Sequence, residues 1–224
     1  MDRLTEIVAI DGPAGAGKST VARRVARELG MAFLDTGAMY RAATWRALKE
    51  GIAMDDPDAL TASTSSMKYA LMGDEGAPRV MVDGQDMTKQ IRTHEVTDNI
   101  RHLDGIPGLR AHLVALQREI ASRRPTVAEG RDMGTVVFPD AKCKVFLDAS
   151  LDSRTRRRAG ELGGAADDVD LARLRDDIHR RDENDRSRAA SPLRPADDAI
   201  IIDTTDMSLD EVTAAIVALA RERL

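Results

Sequence analysis

The stretch Gly12-Pro13-Ala14-Gly15-Ala16-Gly17-Lys18-Ser19-Thr20 constrains this chain more than any other, because it fits the pattern G-x-x-x-x-G-K-[ST]. Ile7 to Ile10 before it is short, apolar and partly β-branched, while Ser19 to Leu29 after it places Val21, Ala22, Val25, Ala26 and Leu29 at helical spacing. Strand, loop and helix in that order predict a cradle for a nucleotide's phosphates. Glycines let successive amides converge on an anion, and the helix start adds unpaired N–H groups and a positive dipole end. Lys18 supplies a mobile point charge, and the Ser19 hydroxyl suits Mg²⁺ or its water shell. The four fixed positions match by chance about once in a hundred chains of this length, so a glycine-rich turn without a ligand is the weaker reading.

Length and charge narrow the class. With 224 residues the chain is one domain or a core with insertions, and it buries a core unaided. Cys143 is the single cysteine, which excludes an internal disulfide framework and a structural zinc site and points to a reducing cytoplasm. A net charge of −5 and a pI near 5.5 argue against a nucleic-acid polymer as partner. No signal peptide and no run approaching the ~20 apolar residues of a membrane span is apparent, so a soluble protein without a membrane partner is expected. Arginines are dense from Arg154 to Arg194, either a local attraction for a small phosphate ligand or a solvated, charge-balanced helix face.

After the first helix, Ala32 to Leu34 reads as a strand ending at Asp35-Thr36-Gly37, and Met39 to Leu48 as a helix stopped near Gly51. This alternation predicts an α/β fold with a parallel sheet, right-handed crossovers and ligands at the carboxyl ends of the strands. The rhythm changes over residues 55 to 101. Arg79 to Val82, Asp83-Gly84 and Gln85 to Met87 read as a β-hairpin, with helical stretches at Ala59 to Leu71 and Thr93 to Leu103 around it. We read residues 59–101 as an inserted subdomain that binds substrate or, on the plainer view, decorates the core. Further on come a helix from Pro107 to Arg124 with Leu109, Leu113, Leu116 and Ile120 on one side and Arg110 and Gln117 facing elsewhere, then strands at Thr126 to Ala128 and Lys144 to Asp148. An arginine-loaded helix from Leu151 to Leu162 ends at Gly163-Gly164, a candidate flap. A charged helix from Val169 to Arg188, a strand at Ala199 to Ile202, and a helix from Ser208 to Leu224 with capping-box spacing at Ser208 and Glu211 complete the chain.

Three charged groups stand out. Arg154, Arg157 and Arg158 share neighbouring positions on one helix face, where an anion would relieve their repulsion. Arg181, Asp185 and Arg188 lie at i, i+4 and i+7, either a surface salt-bridge ladder or a carboxylate holding two arginines for a sugar or base. Arg131 and Asp132 sit on a glycine-flanked turn after a strand, which a purely structural turn does not need. Leu34 to Ala38 looks like the catalytic turn of an aspartic protease, but a helix follows and Asp203-Thr204-Thr205 lacks the glycine for a second copy. Val145 to Asp148 leaves a motor-type ATPase open, and no Asn-Lys-x-Asp stretch is present to select guanine.

At these positions the chain resembles the bacterial cytidylate kinase family over nearly its full length. The resemblance is carried by Ile10 to Thr20, Leu34 to Ala42, Ile91-Arg92-Thr93, Gly130 to Ala141 and Arg181 to Leu193. It implies a three-layer parallel-sheet P-loop kinase core (residues 1–58 and 102–224), a monophosphate-binding insert (59–101) and a short lid (about 153–168). The implied activity moves the γ-phosphoryl group of ATP, with Mg²⁺, to CMP or dCMP in a cytoplasmic monomer. Carried over by position, Gly12, Pro13, Ala14, Gly15, Ala16, Gly17, Lys18, Ser19 and Thr20 would bind ATP, with Ser19 at the metal. Thr36, Tyr40, Arg41 and Arg131 would hold the acceptor near its phosphate, Arg181 and Asp185 its sugar, and Arg110, Asp132 and Arg188 its base. Lys18, Arg131 and the lid residues Arg154, Arg157 and Arg158 would neutralise the transferring group. Independently of the family, a carboxylate such as Asp132 accepts from the 4-amino group of cytosine and opposes the 4-oxygen of uracil. Arg101 departs from the family pattern, which has a small hydroxyl residue there.

Overall fold

The computed structural model describes residues 6–73, 78–161 and 170–224. β1 (Ile7–Asp11) runs into the phosphate loop and α1 (Lys18–Leu29), and β2 (Ala32–Asp35) passes directly into α2 (Thr36–Glu50). Next come α3 (Pro57–Ser66), β3 (Tyr69–Met72), β4 (Arg79–Val82), β5 (Gln85–Asp86), a 3-10 turn at Gln90–Arg92, α4 (His94–Asn99), another at Ile100–His102, and α5 (Pro107–Ala121). β6 (Thr126–Glu129), a π turn over Met133–Val137, β7 (Cys143–Asp148), α6 (Leu151–Glu161), α7 (Leu171–Ser187), β8 (Ile200–Asp203) and α8 (Leu209–Arg223) follow.

The central strands are short and apolar because helices cover both faces, the usual situation of a parallel sheet. Their order is β2-β6-β1-β7-β8, and every pairing in it is parallel. Val8, Ile10, Phe33, Val127, Val145 and Leu147 pack with α1 and α8 on one face. Ile7, Ala9, Leu34 and Ala128 face the other way, toward α2 and α5. The strand alternation thus builds three layers around one sheet. Register places Asp35 beside Glu129, with Asp11 one step past the Ile10 to Glu129 pairing. A row of carboxylates therefore marks the carboxyl edge of the sheet. Cys143 lies wholly buried at the start of β7.

β3, β4 and β5 form a separate antiparallel sheet whose turn carries Asp83 at φ 50° and Gly84 at φ 81°. Both central residues have the positive φ of a type I′ hairpin, the conformation that an Asp-Gly pair favours. This segment shares its packing with the core: Leu60, Met67, Tyr69, Val80, Val82, Met87 and Ile91 belong to the same apolar cluster as Leu34, Met39 and Leu113. The capping box at Ser208 and Glu211 is formed as expected.

Four expectations are corrected. The helix read over Ala59 to Leu71 stops at Ser66, and Tyr69 to Leu71 turn into β3, because Tyr69 and Leu71 find partners at Val82 and Val80 that sequence spacing does not display. The stretch from Thr93 to Leu103 is a helix only over His94–Asn99, continued by a 3-10 turn. Arg110 and Gln117 face inward on α5 with Leu109, Leu113 and Ala121, while Leu116 and Ile120 are half-buried at the flank. Arg110 is inside because its guanidinium meets a buried carboxylate, described below. Finally, α7 ends at Ser187, and Arg188 (φ −56°, ψ 133°) leaves the helical path. Leu162, Gly163, Gly164 and Val169, and the lid from 162 to 168, lie outside the described residues. Among the described residues no helix is long and apolar enough to cross a membrane.

Candidate active site

The phosphate loop is shaped by what crowds it. A Cβ on Gly12 (φ 149°) would come within 2.1 Å of the Leu147 carbonyl oxygen, and one on Gly15 (φ 75°) within 3.1 Å of Arg154. Side chains at either position would push the loop off β7 or off α6. Among the described residues nothing accepts from the Gly15 and Gly17 amides. Lys18 is buried and its Nζ donates to the Pro13 carbonyl at 2.7 Å. Burial, reinforced by Arg131, lowers the Lys18 ammonium to about 7. The Ser19 hydroxyl donates to Glu129 Oε1 at 2.5 Å. A hydroxyl and a carboxylate beside a phosphate cradle are the hard oxygen donors that Mg²⁺ takes, with phosphate and water completing the shell. Among the described residues no group of three or more His, Cys, Asp or Glu forms a metal cage of its own. The donor set therefore fits a cation that arrives on a nucleotide.

α6 and α7 close over this loop through a buried pair of Arg154, a candidate from the sequence, and Asp182, which the sequence did not single out. Asp182 accepts from the Ala14 amide at 3.1 Å and from Arg154 Nη1. Arg154 also donates to the carbonyls of Ala14 and Ala149, each at 3.0 Å. The three arginines read as one anion-binding face have different partners here. Arg157 holds Thr204 through its hydroxyl, at 3.0 Å, and its carbonyl, while the half-exposed Arg158 pairs with Glu161 at 2.6 Å.

Beside the loop, at the ends of β2 and β6, a second cluster gathers. Asp35 caps α2 by accepting from the Ala38 amide at 2.8 Å and accepts from Arg41 at 2.8 Å and Arg92 at 3.0 Å. Burial alone would raise the Asp35 carboxyl, but the two guanidiniums outweigh it and hold it below the usual range. Arg41 keeps a buried Nε without a partner. Thr36 donates to the Glu129 carbonyl at 2.7 Å. Burial and the neighbouring Asp35 push the Glu129 carboxyl up. Arg131 Nε donates to Asp185 at 2.8 Å, and Arg188 lies 3.6 Å from the same carboxylate. Asp185 therefore pairs with Arg131 in place of the Arg181 expected from helical spacing. Arg181 makes no hydrogen bond or ion pair among the described residues, and burial next to Arg131 lowers it to about 10.

The third group gathers around Tyr40, Asp104 and Asp132. Arg110 forms a buried pair with Asp132, donates to the Asp104 carbonyl at 2.9 Å, and sits over the Tyr40 ring at 5.6 Å from its centroid. Arg188 donates to Asp104 at 3.4 Å. Tyr40, Arg110, Arg131, Asp132, Asp185 and Arg188 are thus linked through shared partners, whereas Arg41 is held by Asp35 and Thr36 by the Glu129 carbonyl. Thr20 is exposed on α1, and Arg101 is exposed with its Nε toward His102. Sequence reasoning missed Asp11, Asp104 and Asp182. For Asp182 a signal existed: it lies in the charged run from Arg181 to Arg188, one residue after an arginine and three before Asp185.

Comparison with known proteins decides between the kinases and the other P-loop classes. The family model for cytidylate kinase matches residues 8–222. This chain belongs to the cytidylate kinase family. It is 47% identical over 216 residues to the cytidylate kinase of Rhodopirellula baltica, covering 96% of this chain and 93% of the relative. Identity to the cytidylate kinase of Desulforamulus reducens is 49% over 210 residues, 94% of each chain. A bifunctional pantoate ligase/cytidylate kinase of a Synechococcus strain is 48% identical, and there the chain spans 97% of its own length but 41% of the relative. Among solved structures, a gluconokinase from Sinorhizobium meliloti covers 99% of the chain and is covered to 95%, with a TM-score of 0.50 and 17% identity. At that identity the likeness speaks for the fold alone. Within the cytidylate kinase family, the protease, motor ATPase and GTPase readings fall away.

Proposed function

We propose that this chain transfers the γ-phosphoryl group of ATP to CMP or dCMP, yielding ADP and CDP or dCDP. The observation that carries it is the meeting, at one sheet edge, of the phosphate loop with a second set of arginines around Asp35, Asp132 and Asp185. Family membership names the reaction, and this geometry suits it. In this reading Gly12 to Thr20 bind the donor's phosphates, Arg41 and Arg131 take the acceptor's phosphate, and Asp185 with Arg181 meets its sugar. Arg110, Asp132 and Arg188 read the base, the buried Asp132 carboxylate accepting from the amino group that distinguishes cytosine from uracil. Residues 59–101 serve as the acceptor lobe, supported by the reach of Arg92 to Asp35. The segment near 153–168 serves as the lid.

Transfer needs alignment more than acid–base chemistry. An acceptor phosphate oxygen forms the new bond to the γ-phosphorus while the bond to the β–γ bridging oxygen breaks and ADP leaves with that electron pair. Lys18 and the arginines spread positive charge over the equatorial oxygens, and holding both nucleotides in line supplies much of the acceleration. Mg²⁺ held by the nucleotide and Ser19 would neutralise developing charge. Arg41 and Arg92 leave Asp35 partly for the incoming phosphate, which meets their unpaired donors. A lone buried Cys143 suits a reducing compartment such as the cytoplasm.

The test is a product assay with Mg·ATP and CMP, dCMP, UMP, AMP or no acceptor. CDP and dCDP should form fastest. Phosphate release at the same rate without an acceptor would overturn the reading in favour of an ATPase.

A further inference from the structure

Asp11 is the last residue of β1, next to Gly12, and is 4% exposed. Its two carboxylate oxygens are both used: Oδ1 accepts from the Met133 amide and Oδ2 from the Gly134 amide, each at 2.8 Å. Those amides open the π turn over Met133–Val137, whose first N–H groups have no partner within the turn. The turn follows immediately on Arg131 and Asp132. A carboxylate from the neighbouring strand thus clamps the backbone that aims the acceptor-side arginine and the base-reading carboxylate.

The fit around this clamp is close. A Cβ on Gly134 would lie 3.5 Å from Asp11 Oδ2 and 3.2 Å from the Lys144 side chain. Burying a carboxylate is costly unless its lone pairs are satisfied, and here two main-chain donors 122 and 123 residues away satisfy them. Burial still pushes the Asp11 carboxyl up to about 7, with the Gly134 and Met133 amides pulling it back and Asp132 and Lys18 acting on it from either side. A buried apolar residue would fill the position at lower cost, so the carboxylate is there for the turn it grips.

We propose that Asp11 is a positioning residue for acceptor recognition, fixing the Arg131–Asp132 turn in register with the phosphate loop that begins at the next residue. The proposal rests on the phosphotransfer reading above. Donor loop and acceptor turn then share one anchor, so a displacement of the turn alters acceptor binding and alignment while the donor's amides stay in place.

The test uses Asp11→Asn and Asp11→Ala in the full chain, each checked for folding by circular dichroism. Asn keeps the shape but offers an amino group where one backbone N–H needs an acceptor. Misplacing the turn by a fraction of an ångström should lower kcat/KM for CMP by roughly ten- to a hundredfold, with KM for CMP raised and KM for ATP within about twofold of wild type. Hydrogen exchange should accelerate at Met133 and Gly134 and stay slow in β1 and β6. Unchanged CMP kinetics, a KM for ATP rising in step with that for CMP, or failure of both variants to fold would overturn the proposal. Should the wild-type chain leave CMP untouched, the acceptor reading falls instead. Asp11 is then judged by exchange alone, and undiminished protection at Met133 and Gly134 in Asp11→Asn would sink it.

Discussion

Lys18 shows how a single residue can be set up for its ligand by being uncomfortable without it. Its ammonium is buried beside Arg131 and lowered to about 7, held by one carbonyl of its own loop. A triphosphate would restore the charged form, so binding must take up a proton wherever free Lys18 is neutral. The sign follows from linkage: the free site favours the neutral amine above pH 7 and the bound site favours the ammonium, so ATP affinity falls as pH rises from about 7 toward 9. Calorimetry at pH 8 in two buffers of different ionisation enthalpy should report proton uptake approaching one per ATP bound. Uptake near zero there, in a chain that binds ATP, would mean that the loop carbonyl and Glu129 already keep Lys18 charged.

At the scale of elements, the pair formed by Asp182 and Arg154 ties α6 and α7 to the phosphate loop. Both side chains are almost fully buried, and removing one leaves the other charge without compensation. Asp182→Ala should lower unfolding stability by about 3–5 kcal/mol, read from urea midpoints, and weaken ATP binding, while Asp182→Asn should do less of both. A loss under about 1 kcal/mol for the alanine variant would show that the helices dock without this tie. How much of this was legible depended on range. The phosphate loop, the Asp83-Gly84 hairpin and the Ser208 cap are local patterns whose cause lies within a few residues, and they read correctly. β3 did not, because Tyr69 becomes a strand only through Val82 on β4. The inward face of α5 misled for the same reason: Arg110 is polar by composition and buried by virtue of Asp132, 22 residues on. Local charge spacing singled out Asp132 and Asp185 and the resemblance gave them roles, yet neither could say that Asp185 would pair with Arg131 or that the carboxylate of Asp11 would point at a distant turn.

For the molecule as a whole, the decisive fact is that one apolar cluster runs from β1 and β2 through α2 and α5 into the β3–β5 sheet. A β3–β5 sheet that packs into the same cluster as the parallel sheet has little to hold it together once that sheet opens. Trp45 on α2, half-buried against that cluster, and far-UV ellipticity should therefore report the same urea midpoint; separate transitions would show that part of the chain melts on its own. Cys143 gives an independent view of the same event. Its thiol is enclosed at the head of β7 and lifted to about 11 by burial, so an aromatic disulfide reagent finds almost no thiolate and no path to it. The rate at which such a dye colours an otherwise thiol-free chain then clocks the opening of the sheet beside its central strand, a stopwatch installed without mutation.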